Sequence, residues 1–151
     1  MGIKNSIYGI GIKFFLFLSL MISLGYFFNY LNQTFFHYSG NKSLKGMNKN
    51  EFLFLSTFVA PVIETVVFIW LPFRVFKFWN VKNIWILILI PSILFASSHI
   101  YNPLYVTMTF FQGLLMIFYF YSNLKYNLYL GLILVTFLHS MYNLYGFLFV
   151  R

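Results

Sequence analysis

Apolar residues gather in about five long runs, near residues 14–31, 52–73, 84–101, 104–123 and 126–150. Roughly 20 residues of helix cross the hydrocarbon core of a bilayer, and each run is of that order. The polar breaks between runs are short, except for residues 32–50 (NQTFFHYSGNKSLKGMNKN). Backbone in contact with lipid has no water to bond, so each run must satisfy its own N–H and C=O groups, which predicts helices rather than isolated strands. The expected fold is all-α, a polytopic transmembrane bundle of about five spanning helices. It forms a single membrane-embedded domain over residues 1–151, with no internal repeat and no low-complexity tract.

Composition strengthens this reading. Hydrophobic residues make up 61% of the chain and charged residues 8%, against roughly a quarter charged in soluble domains. With so little charge, a globular surface could not be covered by polar groups. The net charge of +8 comes from Lys4, Lys13, Lys42, Lys45, Lys49, Arg74, Lys77, Lys82, Lys125 and Arg151. Nearly all lie between apolar runs, where they anchor on lipid headgroups. No basic face interleaved with aromatics is present, which argues against nucleic acid as a partner. The absence of cysteine excludes disulfides, thiolate catalysis and Cys-ligated metal.

The N-terminal pattern is read as an uncleaved first helix, because no small-x-small cleavage site follows the run. Met1-Gly2 with Ser6 fits a short myristoylation pattern, discounted because several spans gain nothing from one acyl chain. With a cytoplasmic N-terminus, Lys4, Lys13, Arg74, Lys77, Lys82 and Lys125 fall inside and Lys42, Lys45, Lys49 and Arg151 outside. That gives only a slight positive-inside bias. The aromatic and Lys-rich composition points by association to an AT-rich bacterial genome, hence a bacterial cytoplasmic membrane.

Two acidic residues occur. Glu51 sits at the polar edge of the second run, where a negative charge suits a helix start. Glu64 lies mid-run in VAPVIETVVFIW. A carboxylate at that depth costs about 2.5–3.5 kcal/mol, so such residues face a protein interior or a wet cavity and are functional candidates. The alternative is a protonated Glu serving as a packing hydrogen bond. Pro61, three residues earlier, should release the carbonyl of Thr57 and open space. His99 closes FASSH in the third run and His139 opens HSMYN in the fifth, whereas His37 belongs to the polar connection as a solvated residue. Phe95 and His99 are four apart, as are His139 and Asn143, so each pair shares a helix face. At about 1.5 Å per residue, Glu64, His99 and His139 can converge in the half of the bilayer bounded by residues 32–50.

A carboxylate, two imidazoles and an amide in a cavity of low polarity suit peptide-bond hydrolysis. Glu64 would take a proton from water, His99 would orient that water, and His139 and Asn143 would donate to the oxyanion. Ser97 and Ser98 directly precede His99, and adjacent helical residues do not face each other, so no serine nucleophile is expected. No cofactor is required. Alternatively, Glu64, His99 and His139 could hold a divalent metal such as zinc, although HExxH is absent. The expected partners are membrane lipid and a membrane-associated peptide or protein substrate.

APVIETVVF, FASSH and HSMYN, in this order over residues 51–143, resemble the three motifs of the CAAX-protease and bacteriocin-processing (CPBP) family of intramembrane endopeptidases. Its pattern is Glu-Glu-x-x-x-Arg, then Phe-x-x-x-His, then His-x-x-x-Asn or Asp. The resemblance implies a glutamate-dependent hydrolase in which Glu64 activates water with His99, and His139 and Asn143 form the oxyanion pair. It also implies substrates of the CAAX type or roles in bacteriocin maturation and immunity. The chain departs from the pattern at Thr65, where the second Glu is usual, and at Ile69, where the Arg is usual. Those departures fit either a divergent active subgroup or a degenerate enzyme acting as a membrane immunity or scaffold protein. A Glu–His–His proton or ion carrier is a further alternative, although no inverted repeat accompanies it.

Overall fold

A computed structural model of the chain describes residues 3–38 and 47–149, with side chains from residue 8 onward. Among them the structure consists of helices joined by short links, with no strand. Helix α1 runs over Ile3–Leu31 and continues into a wider π-helical turn over Asn32–Phe36. Helix α2 spans Lys49–Phe78 and α3 Ile84–Ser97. Helices α4 and α5 cover Pro103–Asn123 and Leu128–Phe149. Met1, Gly2, the side chains of Lys4 and Ser6, and Lys42, Lys45 and Arg151 lie outside the described residues, as do residues 39–46 of the long polar connection. His37 is exposed at the end of α1, in left-handed backbone conformation (φ 53°), with its N–H donating to the Asn32 carbonyl.

Asparagine starts each of the last four helices. Asn48, Asn83, Asn102 and Asn127 each accept, through Oδ1, a backbone N–H two or three residues on. These bonds satisfy donors that a helix start leaves without partners. Glu51 is exposed in the first turn of α2, as its position in the sequence implies.

The expected polytopic helical bundle is present, with one of its five apolar helices shorter than the rest. Four helices are long and apolar enough to cross a membrane, while α3 has 14 residues. At 1.5 Å per residue α3 is about 21 Å long, some 10 Å short of a typical hydrocarbon core. The apolar run continues to Tyr101, but the helix does not. Pro103 disfavours helical backbone at Asn102, which is fully extended (φ −160°, ψ 162°) and caps α4 instead. Residues 98–102 therefore form a non-helical link, and His99 lies in it.

Helix α4 is the centre of the bundle, packing on α1, α3 and α5. Its Met116, Ile117, Tyr119 and Phe120 join Phe14, Phe17 and Met21 of α1, Phe95 of α3, and Val135 and Leu138 of α5 in one core. Gly113 sets the α3–α4 approach. A Cβ there would lie 3.3 Å from the Ser92 Cα and 3.2 Å from a Phe95 ring carbon. Helix α2 packs along α5, and reaches α3 through its C-terminal half.

Replacing Gly113 with Ala should therefore lower stability in detergent by about 1–2 kcal/mol relative to Gly146→Ala, whose Cβ meets nothing within 4 Å. Both gain similar helix propensity. Equal unfolding midpoints for the two variants would contradict the close α3–α4 approach.

Candidate active site

The path of α2 past Glu64 is not a plain α-helix. Its turns widen to π-helical over Leu55–Val59 and again over Val66–Trp70, and each widened turn comes just before a proline, Pro61 or Pro72. The Ala60 N–H bonds the Leu55 carbonyl, five residues back, instead of Ser56. In that register the next donor, for Ser56, would be residue 61, and proline has no N–H. The Ser56 carbonyl is thus released from its helix partner in this register. Asn143 of α5 supplies the missing donor, Nδ2 to Ser56 O at 2.8 Å. Pi-bulges are frequent at functional sites. Here one lies on either side of Glu64.

Three helical segments then meet. Glu64 Oε1 lies 3.8 Å from His99 Nε2, and Glu64 Oε2 lies 3.6 Å from His139 Nε2. Phe95 holds the two imidazoles apart, with ring centroids 4.6 Å from His99 and 5.8 Å from His139. Phe95 and His99 stay in contact even though α3 ends at Ser97. His99 Nδ1 is 2.8 Å from the Phe95 carbonyl. A carbonyl only accepts, so Nδ1 carries the proton, and Nε2 of the neutral ring presents a lone pair towards Glu64.

A cavity of about 80 Å³ is lined by Glu64, His99, His139 and Asn143, with Tyr105, Gln112 and Tyr142 among its other walls. That volume admits a few water molecules. Glu64 Oε2 is buried and has no hydrogen-bond partner of its own. Glu64 keeps 21% of its side-chain surface exposed, so the residue is only partly buried. All four residues singled out from the sequence are thus brought together. Among the described residues no cluster of three or more His, Cys, Asp or Glu has the arrangement needed to hold a metal ion.

Ser98 needs a correction of detail. Its Oγ lies 2.9 Å from His99 Nδ1, a contact that helical spacing forbids and the end of α3 allows. The hydroxyl also donates to the Phe95 carbonyl at 2.7 Å. It stands on the far side of the imidazole from Glu64.

The two departures from the CPBP motif are buried beside the site. Thr65 is 5% exposed, with its hydroxyl hydrogen-bonded to the Thr136 hydroxyl of α5 at 3.1 Å. Ile69 is 6% exposed in the core. A neutral pair and an apolar side chain occupy the positions of the usual Glu and Arg.

Residues 48–145 match the type II CAAX prenyl endopeptidase Rce1-like family. The chain belongs to that family. No curated protein and no solved structure matches it. The matched stretch contains Glu64, His99, His139 and Asn143 and covers α2 to α4 and most of α5, so it bears out the CPBP resemblance. Together with four apolar helices of spanning length, it makes this an integral membrane protein. Helix α1 falls outside the Rce1-like match, yet its Met21 lines the cavity and its carbonyl accepts a bond from Gln112. Gln112, Tyr105 and Tyr142 were missed in the sequence because uncharged polar groups in an apolar run carry little signal. A search for amides inside spans finds Gln112.

The Ser56–Asn143 bond can be tested by a double-mutant cycle. Asn143→Ala should cost about 1–3 kcal/mol of stability by stranding the Ser56 carbonyl. In a Pro61→Ala background, where residue 61 regains an N–H, the same change should cost clearly less. Unfolding in detergent reads both, and an unchanged cost would contradict the proposed origin of the freed carbonyl.

Proposed function

We propose that this Rce1-like chain is an intramembrane endopeptidase that hydrolyses a peptide bond in a membrane-associated protein or peptide. The observation that carries the reading is the approach of Glu64 to the Nε2 atoms of both His99 and His139 at the wall of a buried cavity. An oxygen about 2.8 Å from both Glu64 Oε1 and His99 Nε2 fits the 3.8 Å between them. That is where the reacting water would sit.

Glu64 takes one proton from this water while the His99 Nε2 lone pair accepts a hydrogen bond from its other hydrogen. The hydroxide oxygen attacks the scissile carbonyl carbon, and the carbonyl π pair moves onto its oxygen. His139 Nε2–H and the second Nδ2 hydrogen of Asn143 donate to that oxyanion, since only one Nδ2 hydrogen is used on Ser56. When the intermediate collapses, the C–N bond breaks and the leaving amine takes the proton that Glu64 holds. Asn143 has two tasks, fastening α5 to α2 and stabilising the oxyanion. A divalent metal on Glu64, His99 and His139 is the competing account of the same residues. A degenerate scaffold or a proton carrier are the non-peptidase ones.

The decisive experiment is proteolysis in reconstituted vesicles, across a panel of membrane-associated peptides, with and without chelator. Glu64→Gln should reduce cleavage by more than about a hundredfold. Removing one oxyanion donor through His139→Ala should cost about 10²–10³ in kcat, and cleavage should survive chelation. Ser98→Ala should keep wild-type cleavage, because its hydroxyl faces away from Glu64. Loss on chelation would move the mechanism to a metal. A wild type as inert as Glu64→Gln across the panel would overturn the peptidase, and a proton flux that dies with Glu64→Gln would replace it with a carrier.

A further inference from the structure

The cavity beside Glu64 holds a polar group that the proposed reaction leaves unused. Gln112, on α4, is 3% exposed. Its Nε2 donates to the Met21 carbonyl of α1 at 2.9 Å. Its Oε1 is buried, has no hydrogen-bond partner, and belongs to a side chain lining the same cavity as Glu64, His99, His139 and Asn143.

The orientation of this amide is fixed by chemistry. A backbone carbonyl only accepts, so the nitrogen must face Met21 and the oxygen is left over. An acceptor buried without a donor is costly, and such groups in native proteins call for an explanation. Thr109, one turn away on α4, spends its own hydroxyl proton on the Tyr105 and Val106 carbonyls and supplies none. The Tyr105 and Tyr142 side chains line the cavity but do not bond Gln112 Oε1.

We infer that Gln112 is a substrate-binding residue whose Oε1 accepts a hydrogen bond from a backbone N–H of an extended peptide beside the scissile bond. This rests on the peptidase reading. An extended peptide taken out of water brings N–H groups as well as carbonyls, and each needs a partner. His139 and Asn143 are donors and serve carbonyl oxygens. Gln112 Oε1 is a neutral acceptor, the complementary kind of group for an N–H. Helix α1 takes part by holding the amide in place through Met21, although it lies outside the family match. Gly25, one turn further along α1, lets the Tyr142 hydroxyl approach to 2.8 Å from where a Cβ would stand, so α1 is seated against this wall at two points.

The test is a backbone scan of a panel peptide, replacing one flanking amide at a time with an ester, which removes an N–H. On the wild type, one position should raise KM by about fivefold, the range of a single hydrogen bond. On Gln112→Met, similar in length and without an acceptor, the ester and amide forms should have equal KM at that position. Gln112→Glu in its protonated form, which keeps a donor for the Met21 carbonyl and an acceptor at the same reach, should retain the difference. Comparing two peptides on one variant cancels any general loosening of the fold. Ester sensitivity that is the same in Gln112→Met and wild type, or absent from wild type, overturns the inference while leaving the peptidase intact. Binding of the same fluorophore-labelled peptides to Glu64→Gln protein separates the two readings. Binding that depends on Gln112 without wild-type cleavage keeps the subsite and overturns the peptidase. No binding of any panel peptide overturns both.

Discussion

A carboxyl group part-way down a membrane helix cannot face lipid, and the arrangement of the bundle around α2 follows from that constraint. Glu64 must point at protein or at water, and the structure sets it against protein and a cavity. Two imidazoles from other segments stand within 4 Å, and a small cavity lies alongside. The early end of α3 belongs to the same solution. Non-helical backbone at membrane depth is tolerated where it is buried in protein or lines a cavity. His99 sits in that kind of backbone, with its ring against Phe95 and its Nε2 towards Glu64. Had α3 continued as a helix to Tyr101, the contact between Ser98 and the His99 ring would be lost.

The prolines of α2 set the depth and direction of Glu64. Each removes a donor, and the helix accommodates each by widening the turn ahead of it. The widened turn at Leu55–Val59 leaves the Ser56 carbonyl without its helix donor, and Asn143 supplies one from α5. The residue proposed to stabilise the oxyanion is therefore also the clasp that holds the two main supports of the site together. Its amide can do both because it carries two hydrogens, which an ionised Asp does not.

Much of this was legible in the sequence, for identifiable reasons. Long apolar runs left the backbone no option but helices, and the boundaries of α4 and α5 fall within two residues of those expected. The one ionisable residue in the second run, with His99 and His139, marked the site through the cost of burying such groups. The end of α3 was hidden because Ser98–Tyr101 is not polar enough to interrupt the run, and the signal lay in Asn102-Pro103 just beyond it. The π turns were hidden because a proline shows which donor is lost but not how the register shifts to absorb it. Gln112 was hidden because one neutral amide among apolar residues looks like any polar exception. Its place on the cavity, with one end bonded to Met21 and the other without a partner, singles it out.

The same reasoning bears on the departures from the CPBP motif. Positions 65 and 69 are one turn apart and both are buried against the rest of the bundle. A Glu and an Arg there would form a pair with little access to water. Removing one partner of a buried pair costs about 3–5 kcal/mol, because the other charge is left uncompensated, whereas replacing both with well-packed neutral groups is often neutral or stabilising. Thr65, bonded to Thr136, and Ile69, packed in the core, are such a joint replacement. On those energetics, the joint departure at positions 65 and 69 is cheaper for the fold than the loss of either partner alone. Glu64, His99, His139 and Asn143 converge on a single cavity beside this neutral packing.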